Sequence, residues 1–302
     1  MIAELVSIFF NVVTPVFATV LVGLLAAKPL KLEARTLSRT AYYILIPCFI
    51  FSVLSSAEFN LNVVGRMIAF ITVVQLGVTL IGYIVARLLG HTGKMVGAFM
   101  VLAVFANVGN FGLPLITFHL GDEAVVAATI YFLGIVVISF VISVAAANWV
   151  TGGSLRAVVA VLTTPALLAV PPAVLVNAVD LAVPLFLTRI TDLLGSAMVP
   201  IMLLSLGVQL ANTERIRLSK DIAIASGIRL LAAPLLAIVL AAPFALTGVE
   251  RGAGILQAGM PAAVLCSIIA LEYDLVPDFV TKTVLFSTIA SVVTLTLLLA
   301  FV

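Results

Sequence analysis

Residues 124–150, AVVAATIYFLGIVVISFVISVAAANWV, carry no charged side chain. As a helix this stretch is about 40 Å long at about 1.5 Å per residue. A bilayer's hydrocarbon core, about 30 Å thick, needs only about 20 apolar residues to cross it. Lipid offers no hydrogen bonds to backbone groups, so such a stretch crosses as a helix. Nine more segments of this kind follow from hydropathy and polar interruptions, at approximately 5–27, 37–56, 66–89, 95–120, 163–179, 185–211, 221–246, 252–272 and 279–301. Composition leaves no other class: 64% of residues are hydrophobic and 9% charged, whereas a water-facing surface needs about a quarter charged. The expected fold is an all-α polytopic membrane protein of ten transmembrane helices.

The N-terminal segment lacks a basic leader and stays apolar to Ala27, which reads as a first spanning helix and not a signal peptide. With no long hydrophilic stretch, no attached soluble domain is expected. A net charge of +2 points to no nucleic-acid partner. Cys48 and Cys266 each sit alone in an apolar segment, as packed thiols do.

Lysine and arginine positions set the orientation. With the N-terminus outside, eleven cations fall at cytoplasmic ends: Lys28, Lys31, Arg35, Arg39, Arg87, Lys94, Arg156, Arg215, Arg217, Lys220 and Lys282. Arg66, Arg189 and Arg251 fall outside, and Arg229 lies within a span. The chain is therefore expected in an inner or plasma membrane with both termini extracytoplasmic.

Span four contains the run Asn107-Val-Gly-Asn-Phe-Gly-Leu-Pro-Leu115, rich in helix-breaking residues. Span nine contains Gly254-Ile-Leu-Gln-Ala-Gly-Met-Pro261. Each carries an amide followed by x-Gly-x-Pro: Asn110, Gly112 and Pro114, then Gln257, Gly259 and Pro261. Spans two and seven also align, with Pro47 on Pro200 and Ser52 on Ser205. The offsets are 153 (200 − 47) and 147 (261 − 114). Five spans per half is an odd number, so residues 1–150 and 151–302 would insert as two inverted five-helix repeats. Spans four and nine are expected to be broken crossover helices, with Pro114 and Pro261 opening half-helix N-termini at mid-membrane, where irregular backbone lines a cavity. Their positive dipole ends suit an anion, and Asn107, Asn110 and Gln257 donate hydrogen bonds while neutral. Arg229, about 12 Å into span eight, either snorkels to the interface or faces the cavity to balance a carboxylate. Arg189 and Asp192 read as a surface pair. His119 reads as packing.

The span-four motif, with Gly259-Met-Pro-Ala-Ala-Val264 and Phe286-Ser-Thr-Ile-Ala-Ser-Val-Val-Thr-Leu295, resembles the auxin efflux carrier family of plant and bacterial transporters. The resemblance implies a fold related to bile-acid/sodium symporters. Spans 1, 2, 6 and 7 would form a scaffold and homodimer interface, and spans 3–5 and 8–10 a moving transport domain. It implies organic-anion substrates, malonate- or malate-like carboxylates or auxin-like acids. The substrate-binding asparagine would be Asn107 or Asn110, and the crossover prolines Pro114 and Pro261. Two departures stand against loop-based regulation by phosphorylation, against the plant members' coupling and against auxin itself. Only residues 151–162 join spans five and six, where long plant members carry a large loop. Span three also offers Gln75 and threonines in place of an acidic and a basic residue.

The expected function is a secondary transporter of small organic anions, with H+ or Na+ as the open choices of coupling ion. The alternative is a channel or a transporter-derived receptor. No G-x-x-x-x-G-K-[ST] loop is present, and no aspartate pair, Ser–His pair or zinc motif suggests an enzyme. No cofactor is expected. The orientation is tested with Lys31→Cys and Glu123→Cys in a background lacking Cys48 and Cys266. A membrane-impermeant thiol reagent should label position 123 and spare position 31 in intact cells. Labelling of position 31 overturns the topology.

Overall fold

The computed structural model describes residues 6–57, 60–151, 164–179, 181–211 and 218–302. Arg156, Arg215 and Arg217, three of the cations expected in the cytoplasm, lie outside them. The described chain is helical, with a single isolated β-bridge and no strand. Helices α1 (Val6–Ala27), α2 (Ala34–Ser55), α3 (Leu61–Leu88), α4 (Lys94–Val104), α5 (Val108–Leu120) and α6 (Asp122–Val150) run through the first half. Helices α7 (Pro165–Ala178), α8 (Leu185–Ala211), α9 (Lys220–Ala241), α10 (Gly248–Ala258), α11 (Leu265–Glu272) and α12 (Pro277–Leu299) complete the chain. Seven of them, α1, α2, α3, α6, α8, α9 and α12, are long and apolar enough to cross a membrane. Their outer faces match: α9 exposes Leu231, Leu235 and Val239, and α12 exposes Ile289, Val293 and Leu297. Each set recurs about once per turn, an apolar stripe for lipid. The chain is a multi-pass membrane protein.

Polar side chains set several helix starts. Asn60 Oδ1 accepts from the N–H groups of Asn62 (3.1 Å) and Val63 (3.4 Å) at the head of α3. Ser219 does so for Ile222 (3.2 Å) at the head of α9. Asp192 accepts the hydroxyl of Ser52 and forms no ion pair with Arg189, so that expected surface pair is replaced by a contact between α8 and α2.

Four prolines share one local arrangement, which at Pro114 differs from the sequence expectation. Pro15, Pro47, Pro114 and Pro234 each follow by two residues a single π-helical turn, at Phe9–Val13, Ala41–Leu45, Val108–Gly112 and Ile228–Ala232. A proline lacks an N–H, and its ring crowds the preceding turn. The helix answers by widening one turn, and the chain stays helical. Pro114 therefore sits inside α5 and opens no gap. The gap in span four lies upstream, at Phe105–Ala106–Asn107, between α4 and α5. In span nine the gap runs from Gly259 to Val264 and contains Pro261.

The two gaps cross. Ala106 and Ala262 form an antiparallel bridge, in which Asn107 N–H donates to Pro261 O (2.7 Å) and Ala263 N–H donates to Phe105 O (2.9 Å). The local two-fold of such a pair exchanges these bonds and matches residues 156 apart (262 − 106). That register corrects the sequence alignment of Asn110 with Gln257 and of Pro114 with Pro261. Gln257 lies in α10 before its gap, and Asn110 lies in α5 after its gap. The amide-x-Gly-x-Pro motifs thus occupy opposite sides of their breaks.

Around the crossing, α1, α2, α7 and α8 pack on one another, and α3, α4, α6 and α9–α12 form the rest of the bundle. At one end His91 Nε2 meets Asp221 Oδ1 (3.0 Å) and Lys94 pairs with Asp274. At the other end of α3, Arg66 Nη1 donates to Ala245 O (2.8 Å), and Val302 packs beside Gly252 and Leu120. Helices α1 and α8 approach to backbone contact. A Cβ on Gly207 would stand 2.0 Å from Val20 O, and one on Gly23 would stand 2.3 Å from Leu204 O. Both obstacles are backbone, so neither side can yield without separating the helices. Gly207→Ala should therefore lower stability by about 1–3 kcal/mol, read as a fall in the melting temperature in detergent. Gly65→Ala, with nothing within 4 Å of its new methyl, should leave the melting temperature unchanged or raise it slightly.

Candidate functional site

A cavity of about 260 Å³ lies where the crossing meets α2, α6 and α8. The volume falls just under the roughly 300–1,000 Å³ typical of pockets for drug-sized ligands, so it suits a smaller solute. Phe105, Phe132, Phe140 and Met202 supply apolar wall. Ser38, Asn107, Asn110, Thr164, Ser205 and Gln209 supply polar groups. Among the described residues, no Asp, Glu, Lys or Arg lines it.

The crossing aims two helix starts at this space. Asn107, Val108, Gly109 and Asn110 at the head of α5 face it, as do Val264, Leu265 and Ile268 at the head of α11. First-turn N–H groups have no partner within their own helix, and each start carries about half a positive charge. Asn107 occupies the cap position of α5, yet its side chain does not cap. It is 6% exposed, and its Nδ2 is buried with no hydrogen-bond partner. A buried amide donor left unpaired costs about 1–3 kcal/mol, which an acceptor brought within reach of it would remove. Thr164 Oγ1 is likewise buried and unpaired.

Across the cavity, Ser38 and Ser205 hydroxyls bond at 2.8 Å, and Gln209 Nε2 reaches them at 3.3 and 3.4 Å. Sequence reasoning missed Ser38, Thr164 and Gln209. Ser205 was visible only as a repeat match to Ser52, with no hint that it faces a cavity.

The remaining expected site residues lie elsewhere. Gln257 is fully buried in α10, where its Nε2 donates to Ala128 O (3.3 Å) and its Oε1 is unpaired. Its amide presses on Gly112: a Cβ there would fall 1.9 Å from Gln257 Oε1. Gly259 leaves room for Leu298, whose Cδ2 would be 2.2 Å from a new methyl. Pro261 belongs to the bridge through its carbonyl, and Pro114 is buried within α5.

Arg229 is fully buried and does not snorkel to an interface. Its Nη1 donates to Ala103 O (2.6 Å), and its Nη2 donates to Ala258 O. It forms no ion pair with a described carboxylate and does not line the cavity.

A helical membrane protein with a small, mostly apolar cavity that carries a few polar groups at two crossing helix breaks has the architecture of a membrane transporter. Comparison with known proteins agrees. Residues 154–299 match the family model described as membrane transport protein. A protein of Methanothermobacter thermautotrophicus strain Delta H, described as an uncharacterized transporter, is 30% identical over 269 residues, covering 88% of each chain. The chain belongs to the auxin efflux carrier family of membrane transport proteins.

The Gly112–Gln257 contact is tested by a double-mutant cycle. Gly112→Ala alone should destabilise strongly, and adding Gln257→Ala should restore part of the loss. A coupling of about 0.5–3 kcal/mol is expected for residues in contact. Strict additivity of the two melting shifts would show that the close approach carries no energy.

Proposed function

We propose that the protein is a secondary transporter of small organic anions, carboxylates of the malonate or malate kind or auxin-like acids, bound at the crossing. The observation that carries this is Asn107, a residue that lines a cavity bordered by two helix N-termini and whose Nδ2 donor is buried without a partner. Neutral donors and dipole ends complement a carboxylate without the cost of a buried lysine. Asn110, at the same helix start, is the second donor.

Alternating access in this reading works through an inverted repeat of the helices, for which matched contacts speak. Gln75 in α3 donates to Val104 O, and Arg229 in α9 donates to Ala258 O. Donors and acceptors are both 154 positions apart (229 − 75 and 258 − 104), close to the 153 between Pro47 and Pro200 and the 156 across the bridge. Residues 1–150 and 151–302 are therefore read as two five-helix repeats. In this reading α1, α2, α7 and α8 form the scaffold of a homodimer. The remaining helices move past it as an elevator, driven by an H+ or Na+ gradient or by the anion's own. The setting is an inner or plasma membrane, with both termini outside.

A melting screen against mono- and dicarboxylates identifies the substrate class, since a ligand raises apparent stability by mass action. With that ligand, Asn107→Ala and Asn110→Ala should each weaken binding about ten- to a hundred-fold, the worth of one hydrogen bond to a charged group. Transport in liposomes should fall in parallel while the melting temperature without ligand holds. Unchanged affinity in both variants would refute the site.

A further inference from the structure

Two helices end, as well as begin, at the crossing. The last carbonyls of α4 and α10 point into the protein interior, where each helix end carries about half a negative charge. An unpaired carbonyl there is costly, because neither water nor lipid reaches it as a donor. At α4, Val104 O takes Gln75 Nε2 (2.7 Å) and Ser139 Oγ (3.0 Å). Ala103 O of the same helix and Ala258 O of α10 are both taken by one guanidinium, that of Arg229. Arg229 is fully buried, and its Nε has no partner. A buried arginine is ordinarily matched by a carboxylate, and among the described residues none pairs with it. The negative charge facing it is that of the two helix ends.

Helix C-terminal ends and unwound carbonyls at a crossover are where carriers of this general design coordinate a coupling Na+. We propose that Arg229 is a built-in cation at that position. It neutralises both helix ends permanently and ties α4 to α10, so the crossover takes no alkali cation. Several features agree with a tether of this kind. Guanidinium is planar and weakly hydrated, and it presents its two Nη groups in a fixed fork, which suits it to two carbonyls from different helices. Gln75, 154 positions earlier, makes the corresponding contact without charge, so one cation serves two ends. Arg229 also lies away from the cavity lining, which leaves the helix starts as the positive groups facing an anion. Arg229 is thus a positioning residue for the crossing and not a substrate ligand. The inference deepens the transporter reading by removing the crossover as a Na+ site. Its first test needs no substrate, so it stands or falls separately from the anion assignment.

Melting temperatures of purified wild type, Arg229→Lys and Arg229→Gln are measured in sodium, potassium and choline chloride at equal ionic strength. The wild type should melt at one temperature in all three salts, with no saturable Na+ effect. Arg229→Gln keeps an amide donor but loses the charge. It should melt well below Arg229→Lys, or fail to fold where Arg229→Lys folds. Replacing Na+ by choline should leave wild-type uptake in liposomes unchanged. A saturable, Na+-selective rise in wild-type melting temperature would overturn the proposal, as would an Arg229→Gln variant as stable as Arg229→Lys. If both variants fail to fold, the wild-type salt comparison still decides. Loss of carboxylate binding from an otherwise salt-indifferent wild type would count against the anion reading alone.

Discussion

Two backbone hydrogen bonds hold the centre of this protein together. Asn107 N–H to Pro261 O and Ala263 N–H to Phe105 O join two chain segments that have left helical geometry deep within an apolar bundle. Each segment alone would bury unpaired amides and carbonyls at a cost of several kcal/mol per group. Paired, they satisfy one another, and the helices on either side can end and restart. Ser287 Oγ accepts from Ala262 N–H at 3.2 Å on the outer edge of the pair, so the bridge is closed on that side as well.

Charge follows from this arrangement. Two helix starts and two helix ends converge on one small region, and each pair needs a different partner. The starts open on the cavity, beside Asn107 and neutral hydroxyls. The ends are closed internally by Gln75, Ser139 and Arg229. The two kinds of terminus are segregated, one facing the cavity and the other sealed by the chain itself.

Tight packing holds the crossing in place. Gly207 and Gly23 bring α1 and α8 to backbone contact, and Gly112 admits the Gln257 amide. Small residues at helix interfaces are the usual means of close approach where lipid supplies no hydrophobic drive. Several glycines that look like helix breakers in the sequence therefore serve contact distance, and the chain passes through Gly112 in a helical conformation (φ −61°, ψ −53°).

The sequence by itself determined that the chain crosses a membrane many times, because apolar length leaves no other way to satisfy the backbone. It also singled out the two interrupted spans, since the amide-x-Gly-x-Pro pattern occurs only there, and it placed Asn107 and Asn110 beside the interruption. Tertiary structure decided the rest. A proline can break a helix or merely widen one turn, and the sequence looks the same in both cases. At Pro114 the turn widened, so the gap moved upstream to Phe105–Asn107. Gln257 and Asn110 matched in sequence yet fall on opposite sides of their gaps, because register is set by backbone pairing across the bridge and not by side-chain likeness. Arg229 could be read as a surface or a cavity residue, because hydropathy reports depth along a helix but not which neighbour a side chain meets. Only the packing of α9 against the ends of α4 and α10 brought its guanidinium to two carbonyls.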